Sequence, residues 1–164
     1  PERDFNLFNN FKSLKQNNAE GADYIICTGL FDEHENLKFY KEFLSPFKDK
    51  EMVCTNPDLI VDRGDQTEYC AGSVAKVFEE LGGRVKYFGK PYPLVYNKSI
   101  DNKSKSVLCI GDNLNTDIKG ANLQNFKSLF ILNGIHKKEN QKELNKLFEK
   151  FKVNVNYIQE KLKW

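Results

Sequence analysis

The 164-residue sequence has no long apolar run, no closely spaced cysteine pair and no marked excess of charge of either sign. Its apolar runs, such as LIV at Leu59 to Val61 and SLFIL around Phe130, fall far short of the roughly 20 residues a spanning helix needs, so no membrane partner is expected. The 25 basic and 23 acidic residues leave a formal charge of +2, which argues against a polyanion-binding surface over the whole chain. Lysines gather towards the carboxyl end, among them Lys137, Lys138, Lys142 and Lys146, but they alternate with glutamates as on a solvated helix face; no nucleic-acid partner is expected. Cys27, Cys54, Cys70 and Cys109 form no CxxC motif and suit buried free thiols in a reducing cytoplasm. There are only two histidines, His34 and His136, and a lone histidine is usually not catalytic. Internal repeats and low-complexity tracts are absent as well.

What is present is a soluble, globular pattern, 40% apolar, of a length for one domain or two small pieces. Hydrophobic periodicity predicts a helix over 5–16, a strand over 24–28, a helix over 35–45 ended by Pro46, and a strand over 52–54. Asn56 and Pro57 favour a turn, which places a domain boundary near residue 55, with 1–54 and 55–164 as the two parts. A helix over 67–81 should stop at the Gly82 and Gly83 pair. Strands over 85–88, 107–110 and 128–132 then alternate with helices over 92–100, 116–123 and 138–151, and a short strand over 153–157 closes the series. Strands separated by helical crossovers predict an α/β fold, a Rossmann-like parallel sheet with helices on both faces, three layers in all.

Two strand ends carry chemistry. The apolar run VLCI at 107–110 enters Gly111, and Asp112 and Asp117 follow five residues apart. Carboxylates at the carboxyl end of a buried strand suit a hard cation such as magnesium, which takes oxygen ligands from one or two carboxylates, water and substrate phosphate. The same residues also describe a turn in which Asp117, or Asn115 and Thr116, caps the next helix. Upstream, RVKYFGKPYP repeats strand, glycine and functional group, ending in Lys90 and Pro91. If the two strands are neighbours, the ammonium of Lys90 and the carboxylates of Asp112 and Asp117 converge on one crevice, and that combination suggests a phosphate site.

GKP followed at this distance by GDNLNTDIKGA resembles motifs three and four of the haloacid dehalogenase-like (HAD) hydrolases. CTNPD at 54–58, the DRGDQTEYCAGSVAKVFEELGG region and then GKP are similar in order to the NagD-like phosphatase branch of that superfamily. The resemblance implies a magnesium-dependent phosphohydrolase of small phosphorylated metabolites working through an aspartyl-phosphate. It makes Asp112 the metal ligand, Asp117 a second acid that ligates or orients the metal's waters, and Lys90 the motif-three lysine. Asn113 is assigned to the metal region, and Asn56 and Asp58 to the NPD element near the mouth of the site. It also makes 1–54 the trailing part of an α/β cap and 55–164 the carboxyl-terminal half of the core. Arg63 and Arg84 are expected on the surface.

The family's nucleophile lies in a D-x-D motif, and no D-x-D occurs in the sequence: Asp62 to Asp65 reads DRGD, and Asp32 is followed by Glu33 and His34. The expectation is therefore an amino-terminally truncated member of the family. A half-core of this kind exposes a bare strand edge, so pairing of two copies, or with another chain, through that edge is expected. The alternative function is a non-catalytic HAD-like binding or assembly module, or a pseudoenzyme.

Overall fold

The computed structural model describes residues 1–164 apart from 17, 65, 101–105 and 164. The described residues form an α/β protein of two compact units, Pro1–Phe88 and Gly89–Trp164, each with its own parallel sheet.

In the first unit, β1 (Tyr24–Cys27), β2 (Glu51–Cys54) and β5 (Arg84–Tyr87) form a parallel sheet in the order β1-β2-β5. Tyr24 pairs with Glu51, and Glu51 with Arg84. Between β1 and β2 runs α1 (Leu37–Leu44), whose amino terminus is capped by Asn36 accepting from Lys38 N and whose buried face carries Tyr40 and Leu44. The helix α2 (Ala71–Glu80) buries Val74, Ala75, Val77 and Phe78. Its end at Gly82 follows from chemistry: Gly82 has φ +88° and Gly83 leaves no room for a Cβ beside the Phe78 ring. Met52, Cys54, Ala71, Ala75 and Phe78 are all 0% exposed and make the core of this unit.

The predicted boundary at residue 55 falls inside this sheet. β2, which precedes it, is hydrogen-bonded to β5, which follows it, so the chain on both sides belongs to one unit. The predicted helix start at Thr67 is also displaced. β3 (Ile60–Arg63) and β4 (Gln66–Tyr69) form an antiparallel hairpin, with Thr67 Oγ1 donating to Asp62 Oδ1 at 3.0 Å, and α2 begins only after it. Gly64, at φ +62°, turns the hairpin, while Asp65 lies outside the described residues. Residues predicted as an amino-terminal helix form a 3₁₀ segment, Glu2–Leu14, with no buried side chain.

In the second unit, α3 (Pro93–Ser99) leads to the parallel sheet β6 (Leu108–Gly111), β7 (Lys127–Ile131) and β8 (Tyr157–Gln159), in the order β6-β7-β8. A π-helical turn, Leu114–Ile118, and α4 (Lys119–Leu123) connect β6 to β7. The helix α5 (Gln141–Phe151) starts at a capping box of Asn140 and Glu143, which is why it begins three residues after the predicted Lys138. Leu114, Ile118 and Phe130, each 0% exposed, form the core with Leu144 and Val153. The last strand begins later than predicted because the Asn156 side chain, accepting from Ser128 N at 2.9 Å, takes the place of a backbone partner. Among the described residues no helix is long and apolar enough to cross a membrane.

Candidate active site

The site is assembled within the second unit, at the carboxyl end of β6. Leu114 and Ile118 are drawn into the core, and Ile118 N, donating to Asn113 O at 3.2 Å, closes the π-helical turn that joins them. Asn113, rather than Asn115, Thr116 or Asp117, is the capping residue: its side chain accepts from Asn115 N at 2.9 Å. The turn brings Asp117 back against the end of β6. Its backbone N donates to Asn113 O at 2.9 Å, its Oδ2 accepts from Asn113 N at 3.1 Å, and a Cβ at Gly111 would overlap its carboxyl group. Gly111 is thus needed for close approach.

Lys90 reaches the same place. Gly89, at φ +103°, turns the chain out of the first unit, and Lys90 Nζ donates to Asp117 Oδ1 in a short ion pair. The carboxylate side chain is 8% exposed and the lysine 47%, so the acid is buried and the ammonium faces outward. Of the three side chains predicted to converge, Lys90 and Asp117 meet in this ion pair, and Asp112 has a separate partner. The strand before Lys90 pairs with β2, and the loop after it makes the contact.

Asp112 is half-buried and points to a different neighbour. Its Oδ2 accepts from Ile135 N at 2.9 Å. Its Oδ1 accepts no hydrogen bond among the described residues. Tyr96 lies over Gly120, where a Cβ would overlap its hydroxyl, and burial, with Cys109 and Asp117 adding, pushes that hydroxyl up to about 12. Sequence reading missed Gly134, Ile135 and Tyr96. Only Gly134, three residues past the end of β7, carries a signal in the sequence.

The remaining candidates have structural partners. Asn56 and Asp58 lie in the first unit, where Asn56 Oδ1 accepts from Asp58 N at 3.1 Å and Asp58 O accepts from Gly72 N at 3.1 Å, an Asx-type turn against the start of α2. His34 stacks on Phe39 with ring centroids 3.7 Å apart. His136 rests on Phe130 and faces Glu139, with Nδ1 3.6 Å from Oε1. Arg63 and Arg84 are exposed.

Among the described residues no group of three or more His, Cys, Asp or Glu side chains is placed to hold a metal ion. The donors do fit magnesium in its usual protein setting, where one or two carboxylates are joined by water and substrate phosphate. Asp112 offers a hard oxygen, Oδ1, on a carboxylate already oriented by a backbone amide. Both oxygens of Asp117 are engaged by Lys90 and Asn113, and the side-chain oxygen of Asn113 is engaged by Asn115 N.

No curated protein matches the chain. Among solved structures, it is similar to a haloacid dehalogenase-like family hydrolase from Brucella suis 1330, at 26% identity and a TM-score of 0.79, over 99% of this chain and 63% of that one. It is similar in fold to a p-nitrophenyl phosphatase from Archaeoglobus fulgidus, at 17% identity and a TM-score of 0.62, over 87% of this chain and 55% of the other. A possible sugar phosphatase of the HAD superfamily from Cytophaga hutchinsonii aligns at 19% identity and a TM-score of 0.64, over 93% and 57%. The chain thus spans less than two thirds of the length of each of these relatives. The HAD-hydrolase-like family matches residues 87–160, which include β6, Lys90, Asp112 and Asp117. Residues 87–160 thus match the HAD-hydrolase-like family, and the chain has the fold of a haloacid dehalogenase-like family hydrolase.

Proposed function

We propose that these 164 residues are part of a magnesium-dependent phosphatase of the NagD-like branch, acting on small phosphorylated metabolites through an aspartyl-phosphate, and that they contribute its lysine and metal-binding acids. The observation that carries this reading is the Lys90–Asp117 ion pair beside Asp112 at the carboxyl end of β6. Lys90 presents a fixed positive charge to an incoming phosphate and is held there by Asp117. Asp112 would hold the cation through Oδ1, with Asp117 orienting water beside it. The chemistry magnesium supplies when bound is polarisation of a phosphoryl oxygen and neutralisation of charge between a carboxylate nucleophile and a phosphate dianion. No D-x-D occurs in the sequence, so in this reading the nucleophile comes from chain outside these residues.

The first unit is read as the cap, now extending from residue 1 to 88, with Asn56 and Asp58 as its substrate-binding element. Four free thiols suit a cytoplasmic enzyme. The missing D-x-D favours one second reading, a non-catalytic HAD-like module. The two are separated by expressing the 164 residues together with whatever coding sequence precedes them in frame and assaying magnesium-dependent hydrolysis of p-nitrophenyl phosphate. The phosphatase reading expects turnover that falls about 10²- to 10³-fold in Lys90→Ala and in Asp112→Asn. Absence of turnover, or turnover indifferent to both substitutions, leaves the non-catalytic module.

A further inference from the structure

The turn that follows β7 is shaped around the carboxylate of Asp112. Beyond Ile131 the ladder with β8 is prolonged by Leu132 N to Gln159 O at 3.0 Å and Asn133 N to Glu160 O at 2.9 Å. The chain then closes tightly, Gly134 N donating to Leu132 O at 2.9 Å and Lys137 N to Gly134 O at 3.0 Å. Within this turn Ile135 N donates to Asp112 Oδ2 at 2.9 Å. Gly134 lies so close that a Cβ there would overlap Oδ2, Cγ and Cβ of the same aspartate. The φ of Gly134 is not left-handed, so its backbone admits any residue and the obstacle to a side chain is Asp112 itself. On its far side the turn is anchored by His136, whose ring lies 5.9 Å from that of the fully buried Phe130.

A carboxylate that binds a cation through one oxygen gains affinity when its other oxygen is held, because its orientation no longer has to be fixed on binding. We infer that Gly134 and the Ile135 amide are positioning residues for Asp112. The bare backbone of Gly134 lets the carboxylate lie against the turn, and the Ile135 N–H holds Oδ2 so that Oδ1 faces a divalent cation. The inference rests on the phosphatase reading, which requires that cation.

The test is cation binding by the 164-residue chain itself. Mn²⁺ and Mg²⁺ are titrated alone into ¹⁵N-labelled protein, and paramagnetic broadening and shifts of the amides around Asp112 and Ile135 are followed. Gly134→Ala should weaken Mn²⁺ binding about 10- to 100-fold while the amides of β7 and α5 keep their positions. If the alanine disturbs folding, a stability cycle still reads the contact. In an Asp112→Gly background, where the overlap is gone, Gly134→Ala should lower the denaturation midpoint far less than in the unsubstituted chain. Loss of Mn²⁺ binding in Asp112→Asn with full retention in Gly134→Ala overturns the positioning role and leaves the phosphatase reading standing, as does an equal midpoint loss in both backgrounds. Binding that is absent, or indifferent to Asp112→Asn, counts against the phosphatase reading and takes this inference with it.

Discussion

Lys90 Nζ is bound to Oδ1 of Asp117, a residue 27 positions further along the chain, and the acid is almost wholly buried while the lysine is half exposed. The two ends of the pair therefore have unequal stakes. Deleting Lys90 strips charge compensation from a buried carboxylate, whereas neutralising Asp117 leaves an ammonium that water can reach.

Lys90→Met should accordingly destabilise the second unit by about 1–3 kcal/mol, and Asp117→Asn by less. The double variant should cost less than the sum of the two. Urea denaturation of the four proteins measures this, and strict additivity would mean that the pair contributes no coupling.

Gly111→Ala should cost about 1–3 kcal/mol, because the new methyl group enters the space of the Asp117 carboxyl group and the turn must shift. The accompanying signature is a changed environment for Lys90, seen as a chemical-shift change of its side-chain resonances. An unchanged midpoint together with unchanged Lys90 resonances would show that Asp117 does not lie against β6.

Among the described residues β6 is hydrogen-bonded only to β7, and its Leu108 and Ile110 side chains are 48% and 37% exposed. An apolar strand with a free edge is a template for pairing. Self-association that grows with concentration is expected in sedimentation or size-exclusion experiments, and Ile110→Lys should suppress it. A concentration-independent monomer with one cooperative unfolding transition is the contrary result.

High pH should erode stability in a definite window. Burial raises Tyr96 from 10.0 to about 12, and it raises the Cys27 and Cys54 thiols from 9.0 to about 12 and about 11. In each case the unfolded chain releases its proton first, so the contribution is intact below pH 9 and is lost as pH rises through 12. Tyr96→Phe should flatten the fall in denaturation midpoint between pH 10 and 12. Cys27 and Cys54 should also be alkylated by iodoacetamide only slowly at pH 8. A phenol absorbance that titrates near 10 for all seven tyrosines would contradict the Tyr96 assignment.

Local pattern carried much of this molecule. The apolar runs at 24–28, 85–88, 107–110 and 128–132 match β1, β5, β6 and β7 to within a residue at each end, Gly82 and Gly83 end α2, and GKP with GDNLNTD contains Lys90 and Asp117, which meet. These are properties of neighbouring residues, and periodicity and turn chemistry report them directly. Partnership between strands is not local. β5 reads like a neighbour of β6, yet it pairs with β2, because strand pairing is settled by which apolar faces pack together after the chain has folded. The hairpin at Ile60 to Tyr69 was hidden for a related reason: its strands are short and largely exposed, and so lack a buried stripe. Asp112 and Asp117 stand in the sequence as two acids on one loop. Folding separated them, giving Asp117 to Lys90 and Asn113 and giving Asp112 to the turn at Gly134 and Ile135, because packing Leu114 and Ile118 into the core turns the two carboxylates towards different neighbours.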